Sequence, residues 1–259
     1  MNPLHVHVPW REIDRWLPQL LDRQLQPELG FHGADLDLLA NQDLERVAAE
    51  LRQAGLAITV HAPFMDLNPG ALDPIVRAAT RQRLEQALAA ADRLGAKLMV
   101  VHPGYDQWHY DHNPQLWFDR ALPFFQQLLP IVEQFGVRIA VENIFETSPD
   151  TLIQLVTAID HPLCGYCFDV GHWNLFAADP QLGNWLQPLA SSLFHLHLHD
   201  NFGGTDQHLP LGEGNIDFSP LNAFLAACSE PPSMTLEAHS AEHLERSLRS
   251  LARLLPAVC

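Results

Sequence analysis

HLHLHDNFGGTDQHLPLGEGNIDF, residues 195–218, decides how the rest of the chain is read. It opens with strict alternation: His195, His197 and His199 take one parity, Leu196 and Leu198 the other. On a β-strand the two sets point to opposite faces. One face is then apolar, and the other carries three imidazoles toward Asp200. A glycine-rich turn follows, then Asp206 and His208, then Gly212, Glu213 and Gly214. A half-buried strand with a polar rim is the simplest reading of the stretch alone. Such a density of imidazole and carboxylate groups is, however, what a metal site needs.

Working outward, short apolar runs alternate with helical patterns from end to end. LHVHV (4–8), ELGF (28–31), LAITVHAPF (56–64), KLMVVHPG (97–104), RIAVEN (138–143), CGYCFDVGH (164–172) and MTLEAH (234–239) read as strands beside the stretch above. Helices are expected over Leu36–Gly55, Asp73–Gly95, Pro114–Gly136, from Pro149, near 180–190 and over Glu242–Leu255, besides one interrupted by Pro18. Asp73–Pro74 supplies a cap and a first-turn proline, and Gly95 a stop. Pro123 and Pro130 are expected to kink or split the segment Pro114–Gly136. Eight strands with helices between them and no linker-like composition predict a single α/β domain over 1–259, a (β/α)₈ barrel. A doubly wound open sheet is disfavoured, because no glycine-rich phosphate loop follows the first strand.

The charge of −16, from 31 acids against 15 bases, repels polyanions and argues against a nucleic-acid partner. Only one base is a lysine, Lys97. No run is long and apolar enough to span a membrane, and MNPLHVHVPW already alternates like a strand, so a cytoplasmic protein is expected. Cys164 and Cys167 form a CxxC, but residues three apart on a strand face opposite ways, which suits buried structural thiols.

His61, His102, Glu142, Asp169, His197 and Glu237 each close an apolar run, about one βα unit apart. In a barrel the C-terminal strand ends meet on one face. Six such groups on one rim repel or lie unsatisfied unless a cation gathers them. Imidazole with carboxylate suits Zn²⁺, Mn²⁺, Co²⁺ or Fe²⁺. His172 and the Asp206–His208 pair can add ligands. Trp10, Phe64, Trp108 and Trp173 follow four of the strands and are candidates for a substrate-stacking wall, with His7 pointing into the barrel as a further substrate contact.

HAPF, VVHPG, VENI, FDVGH, HLHDN, TDQH with LPLGEGNID, and LEAH resemble the xylose isomerase-like TIM-barrel superfamily from about His61 to Glu237. That group holds sugar isomerases and epimerases, and zinc-dependent apurinic endonucleases of the endonuclease IV type. In the epimerase branch the resemblance implies one metal on Glu142, Asp169, His197 and Glu237. In the endonuclease branch it implies three zincs on those four with His61, His102, His172, Asp206 and His208. All nine residues are present, so ligation does not separate the branches.

The expectation from sequence is therefore a metal-dependent isomerase or epimerase of a small sugar-like substrate, with Glu142 and Glu237 exchanging a proton and one to three metal ions bound. The alternative is a multinuclear phosphodiesterase acting on DNA or a smaller phosphodiester.

Overall fold

The computed structural model describes residues 4–258. Eight parallel strands pair in chain order and close on themselves: β1 (Leu4–Pro9), β2 (Gln26–Gly30), β3 (Thr59–His61), β4 (Leu98–Val101), β5 (Arg138–Glu142), β6 (Cys164–Asp169), β7 (Leu193–Leu198) and β8 (Ser233–Leu236). Pairing of Leu4–Val6 with Met234–Leu236 shuts the ring. Around it lie α1 (Ile13–Arg23), α2 (Gly33–Leu38), α3 (Asn41–Gln53), α4 (Pro74–Leu94), α5 (Pro114–Phe135), α6 (Asp150–Ile159), α7 (Val170–Phe176), α8 (Gly183–Leu189), α9 (Ser219–Ala227) and α10 (Ala241–Leu254). The architecture is the (β/α)₈ barrel that the strand count predicts. Among the described residues, no helix is long and apolar enough to cross a membrane.

Several boundaries differ from the sequence expectation for physical reasons. The helix expected over Leu36–Gly55 is two, because Leu39 is extended (ψ 119°). Pro18, Pro123 and Pro130 do not interrupt their helices. All three are exposed, so the carbonyls they leave unpaired can turn to water. Val170–His172 begins α7 rather than ending β6, with Asp169 capping it through His172 N at 2.6 Å. The strand-ending motifs thus overhang: β3, β4 and β8 are only three or four residues long. Their motif residues past the strand form the rim.

Strand parity divides the molecule into two interiors. Outward-facing Val6, Leu29, Val60, Met99, Val141, Phe168, Leu196 and Leu236 join the helices in one apolar layer. The inward parity is different. Leu98, Val100, Ala140 and Cys167 form a small apolar plug. The rest of the lumen is polar, with His5, Glu28, Thr59, His195 and Thr235 all buried. Cys164 lies in the outer layer and Cys167 in the plug, the opposite facing that their spacing predicts.

The LGEGNID segment has a structural task. Asp200, expected ahead of the imidazoles, instead accepts hydrogen bonds from Asn201 N (2.9 Å), Gly212 N (2.9 Å) and Ile216 N (3.2 Å). Gly214 packs so closely that a Cβ there would stand 2.2 Å from Asp200 Oδ1. The loop is wrapped around one buried carboxylate. Asp200→Ala leaves these amides without their acceptor and is expected to cost about 3 kcal/mol. A urea midpoint unchanged from wild type would refute this role.

Candidate metal centre

The barrel's C-terminal rim brings together groups far apart in sequence. β3 ends at His61, β5 at Glu142 and β6 at Asp169, while His197 is next to last in β7. His102 follows β4 and Glu237 follows β8. Asn143 locks two of these ends: its Nδ2 donates to Asp169 O at 2.9 Å and its Oδ1 accepts from Asp169 N at 2.8 Å. The Asn of VEN therefore fixes Glu142 relative to Asp169.

Glu142 is central. Its Oε2 lies 3.3 Å from both His61 Nε2 and His102 Nε2. Its Oε1 lies 3.0 Å from His197 Nδ1 and 3.4 Å from His172 Nδ1. His197 Nδ1 is also 3.3 Å from Glu237 Oε1 and 3.8 Å from Asp169 Oδ2. Beyond them, Asp206 Oδ2 is 3.1 Å from His208 Nε2 and 3.6 Å from His172 Nε2. All nine residues singled out in the sequence thus meet on one rim.

Three imidazoles are oriented by the backbone. His61 Nδ1 contacts Ala62 O (2.8 Å), His172 Nδ1 contacts Asn143 O (3.1 Å) and His208 Nδ1 contacts Glu237 O (3.2 Å). A carbonyl only accepts, so a proton is assigned to Nδ1, and each Nε2 faces a carboxylate, where it holds a second proton or, once that is lost, offers its lone pair to a metal. Such outer hydrogen bonds are typical of metal-binding histidines.

The donor set fits a divalent metal. Separations of 3.0–3.8 Å between donor atoms match the edges of a tetrahedron with bonds of about 2.1 Å. Asp169 Oδ2 and both nitrogens of His199 are buried without a hydrogen-bond partner. Among the described residues, clusters able to hold an ion include His61–His102–Glu142, His61–His197–Glu237 and Asp169–His172–His199.

His199 was not among the sequence candidates, yet its Nε2 lies 3.2 Å from Asp169 Oδ1. Its ring stacks on His208 at 3.9 Å, and His208 stacks in turn on His239 at 4.0 Å. The signal was present in HLHLH, where His199 shares the parity of His197. A Cβ on Gly171 would come within 1.9 Å of the His199 ring, which explains the glycine of DVGH.

The expected aromatic wall is built differently. Phe64 is exposed and stacks on His102 at 4.2 Å. Trp10 packs on Phe31, Trp173 is buried, and Trp108 is exposed against His112, so none of these three lines the cavity. The cavity over the centre is about 490 Å³, walled by Phe64, Met65, Tyr105, Ile144, Phe145 and Phe176. His7 lines an adjoining lobe with Trp16 and His239. Behind the wall, Glu146 is pushed up to about 7 by burial.

Charge explains the protonation states. Burial works against ionisation of Glu142, but His197 and His102 hold it well below the usual carboxylate range. Asp169 likewise falls to about 2 beside His172 and His199 despite burial. Burial depresses His102, but at other imidazoles of the centre the neighbouring carboxylates override it. His172 and His197 are raised well above the ordinary value and His208 to about 9. Without metal, protons on histidine neutralise this negative cluster.

The chain belongs to the xylose isomerase-like TIM barrel family, whose model matches residues 27–257. It is 34% identical over 174 residues to the uncharacterized protein MJ1311 of Methanocaldococcus jannaschii, covering 62% of this chain and 57% of that one. It is 31% identical over 193 residues to "Probable endonuclease 4" of Mycobacterium ulcerans, covering 71% and 74%. Among solved structures, a Thermus thermophilus protein soaked with ZnCl₂ superposes with a TM-score of 0.81 at 30% identity over 98% of both chains. A D-tagatose 3-epimerase-like protein superposes at 0.85 with 24% identity over 100% and 98%, a likeness of fold. The family contains metal-dependent enzymes of both kinds, and the buried His, Glu and Asp clusters here are consistent with metal binding.

The pH dependence follows from sign. A folded-state His208 near 9, above its ordinary 6.5, contributes stability fully present below pH 6.5 and lost as pH rises through 9. Chelator-stripped protein is therefore expected to lose Tm over that window. Zinc-loaded protein is expected to keep it, because metal binding displaces the protons and strengthens with pH. A stripped-protein Tm that stays flat or rises from pH 6.5 to 9 would contradict this account.

Proposed function

We propose that this protein is a multinuclear metal-dependent phosphodiesterase acting on a small phosphodiester with an apolar or aromatic portion. One observation carries the reading: the two oxygens of Glu142 face different donor sets, His61 with His102 on one side and His197 on the other. His172, Asp206 and His208 form a further set. A single ion on Glu142, Asp169, His197 and Glu237 leaves the remaining five groups without a cation. A carboxylate between two donor sets suits two or three ions. The zinc-soaked relative at 30% identity supports zinc among the candidate metals, which also include manganese, cobalt and iron.

Bound there, the ions supply Lewis acidity toward the phosphoryl group and toward water. The chain's part is to hold the donors without reorganisation, through Asn143 and the backbone carbonyls behind His61, His172 and His208. In the net reaction the oxygen of water forms a new bond to phosphorus and one ester P–O bond breaks. The leaving oxygen takes up a proton, giving a phosphomonoester and an alcohol. No Arg or Lys is among the residues lining the main cavity, so the aromatic wall selects the rest of the substrate by apolar contact.

Epimerisation of a sugar-like substrate is the second reading, favoured by Glu142 and Glu237 both standing within 3.3 Å of His197 Nδ1. Protein purified without added metal is expected to carry more than one divalent ion per chain and to hydrolyse bis(p-nitrophenyl) phosphate. His208→Ala is expected to lose about one ion and at least about tenfold in kcat. One ion per chain, unchanged in His208→Ala, with solvent deuterium entering the reacting carbon of a ketose, would move the assignment to the epimerase.

A further inference from the structure

His197 stands apart from the other histidines of the centre. His61, His172 and His208 are each anchored by a backbone carbonyl, but the outer nitrogen of His197 meets a side chain. His197 Nε2 sits over the Glu28 carboxylate, 3.2 Å from Oε1 and hydrogen-bonded to Oε2 at 3.4 Å. Glu28 lies on β2, on the far side of the lumen, 169 residues away in sequence and completely buried.

The Glu28 carboxylate is itself fixed. Thr235 Oγ1 donates to its Oε2 at 3.1 Å and Thr59 Oγ1 at 3.4 Å, while His195 Nε2 stands 3.2 Å from the same oxygen. Its Oε1 makes no hydrogen bond; His197 Nε2 lies 3.2 Å and His7 Nδ1 3.8 Å from it. Oε2 is thus held by two hydroxyls and is hydrogen-bonded to His197, while Oε1 lies close to the same His197 nitrogen.

We propose that Glu28 is the positioning residue for His197, fixing the imidazole with its proton on Nε2 and its Nδ1 lone pair aimed at the metal. The proposal rests on the reading of His197 as a metal ligand. A neutral imidazole offers one lone pair, and Nδ1 is the nitrogen that faces Glu142, Glu237 and Asp169. With the proton on Nδ1 instead, no lone pair would point at the centre. A carboxylate acceptor cannot itself donate when ionised, so it enforces the productive tautomer. It also makes the imidazole a stronger ligand than a carbonyl acceptor does. Glu28 lies beneath His197 and lines neither lobe of the open cavity, so it acts through His197 and not on substrate.

The test uses zinc-loaded full-length protein with ¹⁵N-labelled histidine, and two variants. Glu28→Met keeps the bulk and removes the acceptor; Glu28→Gln keeps an acceptor oxygen and removes the charge. Zinc affinity, read by chelator competition, is expected to fall about 10–100-fold for one ion in Glu28→Met and less in Glu28→Gln. In wild type the His197 Nε2 proton is expected well downfield, and in Glu28→Gln it should move upfield. A merely space-filling Glu28 would leave that resonance in place. Should Glu28→Met fail to fold, Glu28→Gln carries both measurements. Wild-type zinc affinity in the folded variants, or a wild-type His197 protonated on Nδ1, overturns the proposal alone. A wild type that binds no zinc overturns the site reading and the proposal together.

Discussion

Three carboxylates enclosed at one end of a barrel, with a fourth at its exposed lip and all within a few ångströms of the same imidazoles, are the constraint on which the structure turns. Glu142, Asp169 and Glu237 all approach His197, and Asp206 lies beside His172 and His208. Buried like charges are costly unless something positive sits among them. The fold meets that demand in layers. Asn143 clamps two strand ends, backbone carbonyls set three imidazole tautomers, and Glu28 sets a fourth from below. Protons satisfy the cluster when no metal is bound, and they hold the imidazoles where a cation would take them.

This arrangement moves the burden of stability outward. The lumen of a (β/α)₈ barrel is ordinarily packed with branched aliphatic side chains. Here the apolar part is only the small plug around Leu98, Val100, Ala140 and Cys167. The remainder is a hydrogen-bonded column from Ser233 through His195, Thr235 and Glu28 to His197. Such a polar column contributes specificity of geometry more than net free energy. The stabilising burial lies between the outer strand faces and the helices, where Val, Leu and Phe side chains are almost wholly enclosed.

How much of this was legible in the sequence depends on the range of each interaction. Strand ends were legible, because parity and a polar residue closing an apolar run are local signals; all nine expected rim groups meet. Helix breaks were less so. Pro18, Pro123 and Pro130 look like interruptions until their exposure is known, and Leu39 carries no local mark of a break. His199 was visible in the alternation, but nothing local separates a residue that faces Asp169 from one that hydrogen-bonds elsewhere. Glu28 was hardest. ELGF is a weak strand, and the carboxylate acquires meaning only when ring closure sets β2 across from β7. Asp200 shows the same limit: it follows three histidines in sequence, yet the loop amides claim it.

The distribution of cations gives the substrate argument its direction. A polyanion held over the catalytic rim needs guanidinium or ammonium groups along that rim. Arg11, just after β1, lies 3.6 Å from Asp35, and Arg15, which lines the adjoining lobe, lies 3.5 Å from Glu12. Arg46, Arg81, Arg83, Arg93 and Arg246 pair with acids on the helical surface. Arg52, Lys97 and Arg138 line a cavity with His5 and Ser233, at the N-terminal ends of the strands and away from the centre. With a charge of −16 and these cations paired or at the opposite end, the rim is poorly suited to a nucleic-acid backbone. A single phosphodiester needs no cationic track. Metal ions can neutralise its one charge, and Phe64, Phe145 and Phe176 around the opening offer apolar area to whatever the ester carries. Under the proposed phosphodiesterase reading, charge and cavity favour a small, largely apolar ester over a polymer.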